Sequence, residues 1–228
     1  PYSIVMITID SLRADHLGFY GYGRETSPAI DDLASDSVVF KNNYANASST
    51  PISLASLMSG RFPSELDRSF ALYPKYGDRN TFVAETLARK GYHTAAFLSD
   101  WYLQKGSGLE QGFNLWQPYL IERSRQPLVP TAETVVTSAV EHINRIEPDP
   151  SRPFFLWLHV ADPQPKYLRH LDIPQFGDTV LDRYDHEIRY VDTWLEWFFD
   201  TLRRREDWNR TVDTSEFLSK FENWDFGW

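Results

Sequence analysis

The feature that most constrains the fold is a set of short apolar runs that alternate with amphipathic segments. Ile4–Ile9 (IVMITI) is the first such run, and Tyr92–Leu98 and Pro153–Val160 (PFFLWLHV) are two more. Runs of this length and composition are typical of strands that are buried on both faces. The alternation therefore predicts an α/β fold, with a mostly parallel central sheet and helices on both of its faces.

Segments with helical spacing lie between these runs. The predicted helices are Pro28–Ser37, Ser53–Ser59, Thr81–Lys90, Thr131–Ile146 and Arg183–Arg205. A short strand is expected at Val38–Phe40. Irregular loops are expected at Arg61–Arg79, Gln104–Pro130 and Asp162–Asp182. Because ligands of parallel sheets bind beyond the carboxyl ends of the strands, these loops are candidate site segments.

Composition narrows the range of partners. The chain has 228 residues, a formal net charge of −9 and no cysteine. Such an acidic chain lacks the basic face that nucleic-acid binding normally needs, and it can form neither disulfides nor thiolate metal sites. No apolar run is as long as a membrane-spanning helix. We therefore expect no nucleic-acid partner and no transmembrane segment in this chain.

Two residues are candidates for chemistry. Asp10 ends the first buried strand, where a carboxylate is costly unless it is paired or binds a cation. It is either a metal ligand at the sheet edge or a structural acid that caps a helix or pairs with Arg13. Thr50 precedes a helix that stops at Gly60, and helix N-termini favour anions. It is either a nucleophile that a metal or a base activates, or part of an ordinary N-cap cluster.

Four motifs, in order along the chain, carry a family resemblance. The opening IVMITIDSLRADHLGFYGYGRETSPAIDDLA resembles the start of sulfatases and related members of the alkaline phosphatase superfamily. The segment STPISLASLMSGRFP resembles their nucleophile segment, and FFLWLHVADPQPKY and YDHEIRYVD resemble a later strand with its loop and the following helix. The resemblance runs roughly from Tyr2 to Val212. We therefore take residues 1–212 as part of a sulfatase-like N-terminal catalytic domain.

The resemblance implies roles for single residues. Asp10 matches the first metal-binding aspartate, so Asp10 and Thr50 are expected to contact a divalent cation (zinc, manganese or calcium). Thr50 stands where sulfatases carry the cysteine or serine that becomes formylglycine. Threonine cannot form that aldehyde, so the chain is closer to the threonine-nucleophile branch. Gln164, where relatives often carry histidine, is expected to contact substrate, together with Lys166 and His159.

Other positions depart from the family pattern or have simpler explanations. Ser11 replaces a second aspartate, and Leu54 replaces an arginine. His159, judged only by its place in a strand, is expected to be a core histidine with satisfied hydrogen bonds. After Val212 the family's Asp-His-Gly or Asp-Asn-Gly metal motif does not occur. Residues 213–228 are therefore an unmatched tail, and the sheet is expected to be C-terminally incomplete.

Together these features lead to one expected function. It is a metal-dependent hydrolase or transferase, truncated in this chain, that cleaves sulfate or phosphate esters through a covalent threonine intermediate. Its partner is expected to be a small-molecule, glycan-linked or lipid-linked ester. Relatives often act outside the cytoplasm, so the resemblance implies a periplasmic or extracellular location. Two alternatives stay open: a catalytically inactive sulfatase-like remnant, and a module that binds anions or glycans.

Overall fold

A parallel sheet organises the fold. The computed structural model describes residues 2–119, 131–146, 149, 151–165 and 167–205, so Lys166 and the tail 213–228 lie outside the described residues. The strands are β1 (Ile4–Ile9), β2 (His93–Leu98), β3 (Leu115–Pro118) and β4 (Phe154–Val160). They are parallel, in the order β1-β4-β2-β3, so β4 lies between β1 and β2. The predicted parallel sheet is confirmed.

Helices cover both faces of this sheet, as the sequence predicts. They are α1 (Pro28–Ser35), α2 (Thr50–Ser59), α3 (Val83–Arg89), α4 (Thr131–Arg145) and α5 (Val180–Arg203). Helices α1, α4 and α5 pack on one face, and α2 and α3 pack on the other. No helix in the described ranges is both long and apolar enough to cross a bilayer.

Strand β4 contributes side chains to the hydrophobic cores on both faces of the sheet. All of its residues are buried. Leu156, Leu158 and Val160 belong to the core under α4 and α5, whereas Phe155 and Trp157 belong to the core under α2 and α3. Because side chains alternate along a strand, the next position on the α2 side is His159. A polar ring is thus built into an otherwise apolar strand near its carboxyl end.

The structure differs from the predicted elements at several places. Val38–Phe40 is not a strand, because it pairs with none of the described strands, and Phe40 is largely exposed. Strand β3 was not predicted, because its short sequence LWQP lies in a stretch rich in loop residues. It is an edge strand, which is where a proline is tolerated. Helix α5 begins earlier than predicted, because Thr179 and Asp182 form a capping box.

A histidine pair between β2 and α4 leads to a prediction about acid stability. The Nε2 atoms of His93 and His142 lie 3.1 Å apart. Burial lowers the pKa of both rings, with Arg152 adding to the effect at His93 and the facing His93 and Arg145 adding to it at His142. In the unfolded chain each ring titrates near 6.5. The unfolded state therefore binds more protons below that pH, and folding stability is lost as the pH falls.

We expect the free energy of unfolding to decrease from about pH 7 to about pH 5, by at most roughly 1.4 kcal/mol per pH unit for each histidine. Urea unfolding at a series of pH values measures this slope. In His142→Gln the slope should become smaller, because one of the two titrating rings is gone. An unchanged slope in that variant would show that the pair does not govern acid sensitivity.

Candidate active site

Polar residues converge where β1, β2 and β4 end. Asp10 directly follows β1, Asp100 comes two residues after β2, and His159 is the penultimate residue of β4. The register sets His159 opposite Thr8 of β1 and Leu98 of β2. One ligand atom from each of Asp10, Asp100 and His159 lies within 4.8 Å of the others. Asp100 is 3% exposed and His159 is 1% exposed, so the cluster is largely shielded from water.

The Asp10 carboxylate is in direct contact with Thr50. The Thr50 hydroxyl donates to both carboxylate oxygens of Asp10, at 3.1 Å each. Gln164 donates from Nε2 to Oδ2 of Asp10 at 2.9 Å. Arg13 pairs instead with Asp15, through two hydrogen bonds, so it is not the partner of Asp10. The structure thus brings Asp10, Thr50 and Gln164 together, and Gln164 contacts a candidate ligand directly.

A phenol from α5 fixes the turn that carries Asp10. The Tyr184 hydroxyl donates to the Ser11 carbonyl at 2.8 Å and accepts from the Arg13 amide at 2.8 Å. Ser11 has a φ of +57°, a conformation that residues other than glycine adopt only when their surroundings hold them there. The Ser11 amide also donates to Oδ1 of Asp10 at 3.0 Å. The Asp10 carboxylate is therefore oriented in two ways: Tyr184 holds the turn that follows it, and the Ser11 amide donates to it directly.

The start of α2 differs from the prediction, and the difference concerns the amides beside the candidate nucleophile. The helix begins at Thr50 and not at Ser53, so the threonine is itself the first helical residue. Pro51 has no N–H, and the amides of Ile52 and Ser53 both donate to the Ser49 carbonyl. The amides that follow Thr50 at these positions are therefore already paired and do not converge on an anion. The helix dipole remains favourable to an anion.

His159 is not the satisfied core histidine that its strand position suggests. Its Nδ1 lies 2.8 Å from the Thr8 hydroxyl oxygen. Its Nε2 is buried and has no hydrogen-bond partner in the described part of the chain. Burial lowers the pKa of His159 to about 4, although the Asp10 carboxylate opposes this shift. The ring is therefore neutral at pH 7, as a metal-binding imidazole must be.

The surroundings of Thr8 favour one tautomer of this ring. Trp157 donates its indole N–H to the Thr8 hydroxyl oxygen at 2.9 Å. If Nδ1 of His159 also donates there, the Thr8 hydrogen points to the Leu158 carbonyl at 3.4 Å and every donor has an acceptor. The Nε2 lone pair then has no hydrogen to accept from the described residues, and the ring offers a nitrogen within 4.8 Å of carboxylate oxygens of Asp10 and Asp100. In the other tautomer a buried N–H would have no acceptor, which is costly.

This donor set fits a divalent cation. Two carboxylates and a neutral imidazole are ligands for zinc or manganese, whereas calcium prefers oxygen ligands alone. Without a cation, two neighbouring carboxylates repel each other and also repel an anionic ester. The buried Nε2 of His159, which has no hydrogen-bond partner among the described residues, supports this independently, because a cation held by the three residues would satisfy it.

Sequence analysis missed Asp100. It has the same signal as Asp10, a carboxylate that closely follows a buried strand. Ser99 fixes its position, because the Ser99 hydroxyl donates to the His159 carbonyl at 3.0 Å and accepts from the Ala161 amide at 2.8 Å. Tyr102 was missed as well. Burial and the Asp100 carboxylate raise the pKa of Tyr102, so its phenol stays protonated beside Thr50 and Asp100.

Comparisons with known proteins identify the family and the fold of this chain. The family model described as Sulfatase matches residues 3–212. Arylsulfatase A of Homo sapiens is 34% identical over 122 residues, which is 50% of this chain and 23% of that protein. Phosphonate monoester hydrolase of Agrobacterium radiobacter has a TM-score of 0.73 at 14% identity, over 92% of this chain and 60% of that one.

A solved protein of the alkaline phosphatase superfamily from Vibrio parahaemolyticus has a TM-score of 0.66 at 20% identity, over 91% of this chain and 52% of that one. This chain therefore aligns with only part of each relative. The family model, in contrast, matches nearly all of the described residues. The fold of the solved structures and the matched family point the same way. The chain belongs to the sulfatase family and has the fold of the alkaline phosphatase superfamily.

Proposed function

We propose that this chain forms part of a metal-dependent hydrolase or transferase that cleaves sulfate or phosphate esters, with Thr50 as the nucleophile. The observation that carries the proposal is the double hydrogen bond from the Thr50 hydroxyl to Asp10. Asp10 also belongs to the buried cluster with Asp100 and His159. The same carboxylate is thus in reach of a nucleophile and of a cation site.

Asp10, Asp100 and Nε2 of His159 would hold the cation. When bound, it supplies positive charge that lowers the pKa of a coordinated hydroxyl and offsets the negative charge of the ester. Asp10 orients the Thr50 oxygen by accepting its hydrogen bond, and Gln164 holds Asp10 from the other side. The buried Tyr102 hydroxyl, whose pKa burial and Asp100 raise further above neutrality, is a protonated donor that has no partner among the described residues.

The proposed reaction proceeds in two steps. In the first, Thr50 Oγ loses its proton and forms a bond to sulfur or phosphorus, while the bond from that atom to the alcohol oxygen breaks. The alcohol leaves and takes up a proton. In the second, water attacks the threonine ester, the bond to Thr50 Oγ breaks, and the threonine hydroxyl is restored; inorganic sulfate or phosphate is released from a monoester, and a phosphate monoester from a diester. In a transferase an acceptor alcohol replaces the water.

A threonine nucleophile favours phosphate esters over sulfate esters as substrates. Threonine cannot form the aldehyde on which sulfatases rely, so Thr50 must act as a hydroxyl. The structural likeness to a phosphonate monoester hydrolase is compatible with attack on phosphorus. We therefore expect phosphate monoesters or diesters to be cleaved faster than sulfate esters.

Calorimetric titration with zinc, manganese and calcium tests the proposal directly. We expect one cation to bind per chain, with zinc and manganese bound more tightly than calcium. Asp100→Asn and His159→Gln should each weaken binding, because a site with two protein ligands holds a cation poorly. If none of the three cations binds, the enzymatic proposal is wrong, and an inactive relative or an anion-binding module becomes the better explanation.

A second prediction concerns Thr8. Thr8→Val removes the hydroxyl that fixes the His159 tautomer and keeps the shape of the side chain. We expect cation affinity to fall about 10- to 100-fold, as is usual when a hydrogen bond to a metal-binding histidine is lost. Thr8→Ser should retain most of the affinity. Thr201→Val, which removes a hydroxyl that bonds only within α5, is the control and should change nothing.

A further inference from the structure

Two aromatic side chains form an exposed corner that the proposed reaction does not use. The rings of Tyr73 and Trp101 have centroids 4.1 Å apart and planes at 71°. They are 44% and 37% exposed, respectively. Tyr102 lies behind them, nearly parallel to Tyr73 at 6.2 Å and steeply inclined to Trp101 at 5.9 Å. We refer to Tyr73 and Trp101 as the aromatic rim.

The aromatic rim is joined to the candidate active site by Tyr102. Its hydroxyl is buried near Thr50 and Asp100 and has no hydrogen-bond partner within the described residues. Its ring contacts the rim. Trp101 is also the residue directly after Asp100 in the chain. The rim is therefore joined to the surroundings of Thr50 through a single side chain, that of Tyr102.

The loop that carries Tyr73 is anchored next to the nucleophile. A bridge between Arg68 and Tyr76 closes the loop, and the Ser69 amide donates to the Lys75 carbonyl at 2.9 Å. The Tyr76 hydroxyl then donates to the Pro51 carbonyl at 2.9 Å. Because Pro51 follows Thr50 in the chain, the base of the loop and the nucleophile are held by the same turn of α2.

We propose that the aromatic rim binds a six-membered ring in the alcohol part of the ester, an aryl ring or a sugar ring. This inference rests on the proposed function of Thr50. The two rings are steeply inclined, so their corner offers the negative face of one ring and the positive edge of the other. Such a corner suits the π face of an aryl group and the C–H face of a sugar. The exposed rings lose contact with water when such a group covers them.

Binding of sulfonates tests the inference without turnover, because their carbon–sulfur bond is not an ester bond. The probes are methanesulfonate, benzenesulfonate and 6-deoxy-6-sulfoglucose, titrated into the full chain with and without manganese. We expect at least one ring-bearing probe to bind about 10-fold more tightly than methanesulfonate. The aryl and sugar probes distinguish the two kinds of ring.

Substitutions decide whether the rim is responsible. Trp101→Ala and Tyr73→Ala should bring the ring-bearing probe to within about twofold of methanesulfonate. The matched control is Trp197→Ala on α5, since Trp197 is 38% exposed and also packs at 71° against a neighbouring ring. It should leave the preference unchanged. Circular dichroism and thermal melting verify that each variant is folded.

Each result has a definite meaning. If no probe with a ring binds more tightly, or if the preference survives in Trp101→Ala, the inference is wrong. If the preference disappears only in the rim variants, the inference holds. If manganese does not bind but the preference and its loss in Trp101→Ala remain, the rim binds rings while the proposed metal-dependent reaction fails. The two failures are therefore separable.

Discussion

Replacing Thr50 by valine is expected to lower kcat for ester cleavage by about 1,000-fold or more, because removal of a catalytic nucleophile leaves only binding and electrostatic effects. Valine has the same shape as threonine but no hydroxyl, so α2 should keep its position. The rate is measured with 4-nitrophenyl phosphate and 4-nitrophenyl sulfate at saturating zinc or manganese. The covalent step is detected separately, as a phosphorylated or sulfated Thr50 peptide in a rapidly quenched digest.

Two companion variants make this result specific. Thr50→Ser keeps a hydroxyl at the same position and should retain a substantial part of the activity. Ser53→Ala removes another hydroxyl from the first turn of α2, and its activity should stay near the wild-type value. A Thr50→Val protein that turns over at the wild-type rate would show that the threonine is not the nucleophile, whatever the cation contributes.

Replacing Asp185 by alanine is expected to cost about 3–5 kcal/mol of unfolding free energy, because it removes the acid at the centre of a buried network. Asp185 is fully buried in α5. It accepts from the Tyr22 hydroxyl at 2.6 Å and from Arg24 at 2.8 Å, and it contacts Nδ1 of His16 at 2.6 Å. Burial and the bond to Asp185 raise the pKa of Tyr22 to about 12, so the phenol donates at every ordinary pH.

The alanine variant would remove the acceptor of the buried His16 and of the half-buried Tyr22 hydroxyl, and an unsatisfied buried group carries its own desolvation cost, whereas Arg24 would keep its bond to Asp182. Urea unfolding monitored by tryptophan fluorescence measures the loss. The matched control is Asp178→Ala, which removes the acid of an exposed ion pair with Arg169 and should change stability by less than about 1 kcal/mol. A loss this small in Asp185→Ala would mean that the network contributes little.

The parts of the fold that were predictable are those in which one physical effect dominates. Apolar runs identified β1, β2 and β4, because such runs are typical of strands buried on both faces. Strand β4 is buried throughout, whereas β1, predicted to be fully buried, lies at the edge of the described sheet and is half-buried. Strand β3 was missed, since its four residues carry no such pattern and their pairing with β2 depends on the rest of the sheet. Val38–Phe40 was predicted as a strand from local β propensity, which had no neighbouring strand to satisfy it.

The site was predictable in part for the same reason. Asp10 stood out because a carboxylate at the end of an apolar strand needs a partner, and Thr50 because it precedes a predicted helix and matches the nucleophile position of the family resemblance. Asp100 carries the first of these signals but was overlooked in the absence of a family motif. The bare Nε2 of His159 could not be foreseen, because it depends on the register that sets Thr8 beside this ring. Local sequence does not report such distant pairings.

The position of β4 has a consequence for biosynthesis. In the order β1-β4-β2-β3, β1 and β2 precede β4 along the chain, and within the described sheet they are joined through β4. The hydrogen-bonding edges of Ile4–Ile9 and His93–Leu98 that face β4 therefore stay open until Phe154–Val160 emerges and inserts. During that interval the nascent polypeptide presents two uncharged, β-prone edges to other chains. Chaperone capture should accordingly peak before Phe154–Val160 has been translated and has cleared the exit tunnel.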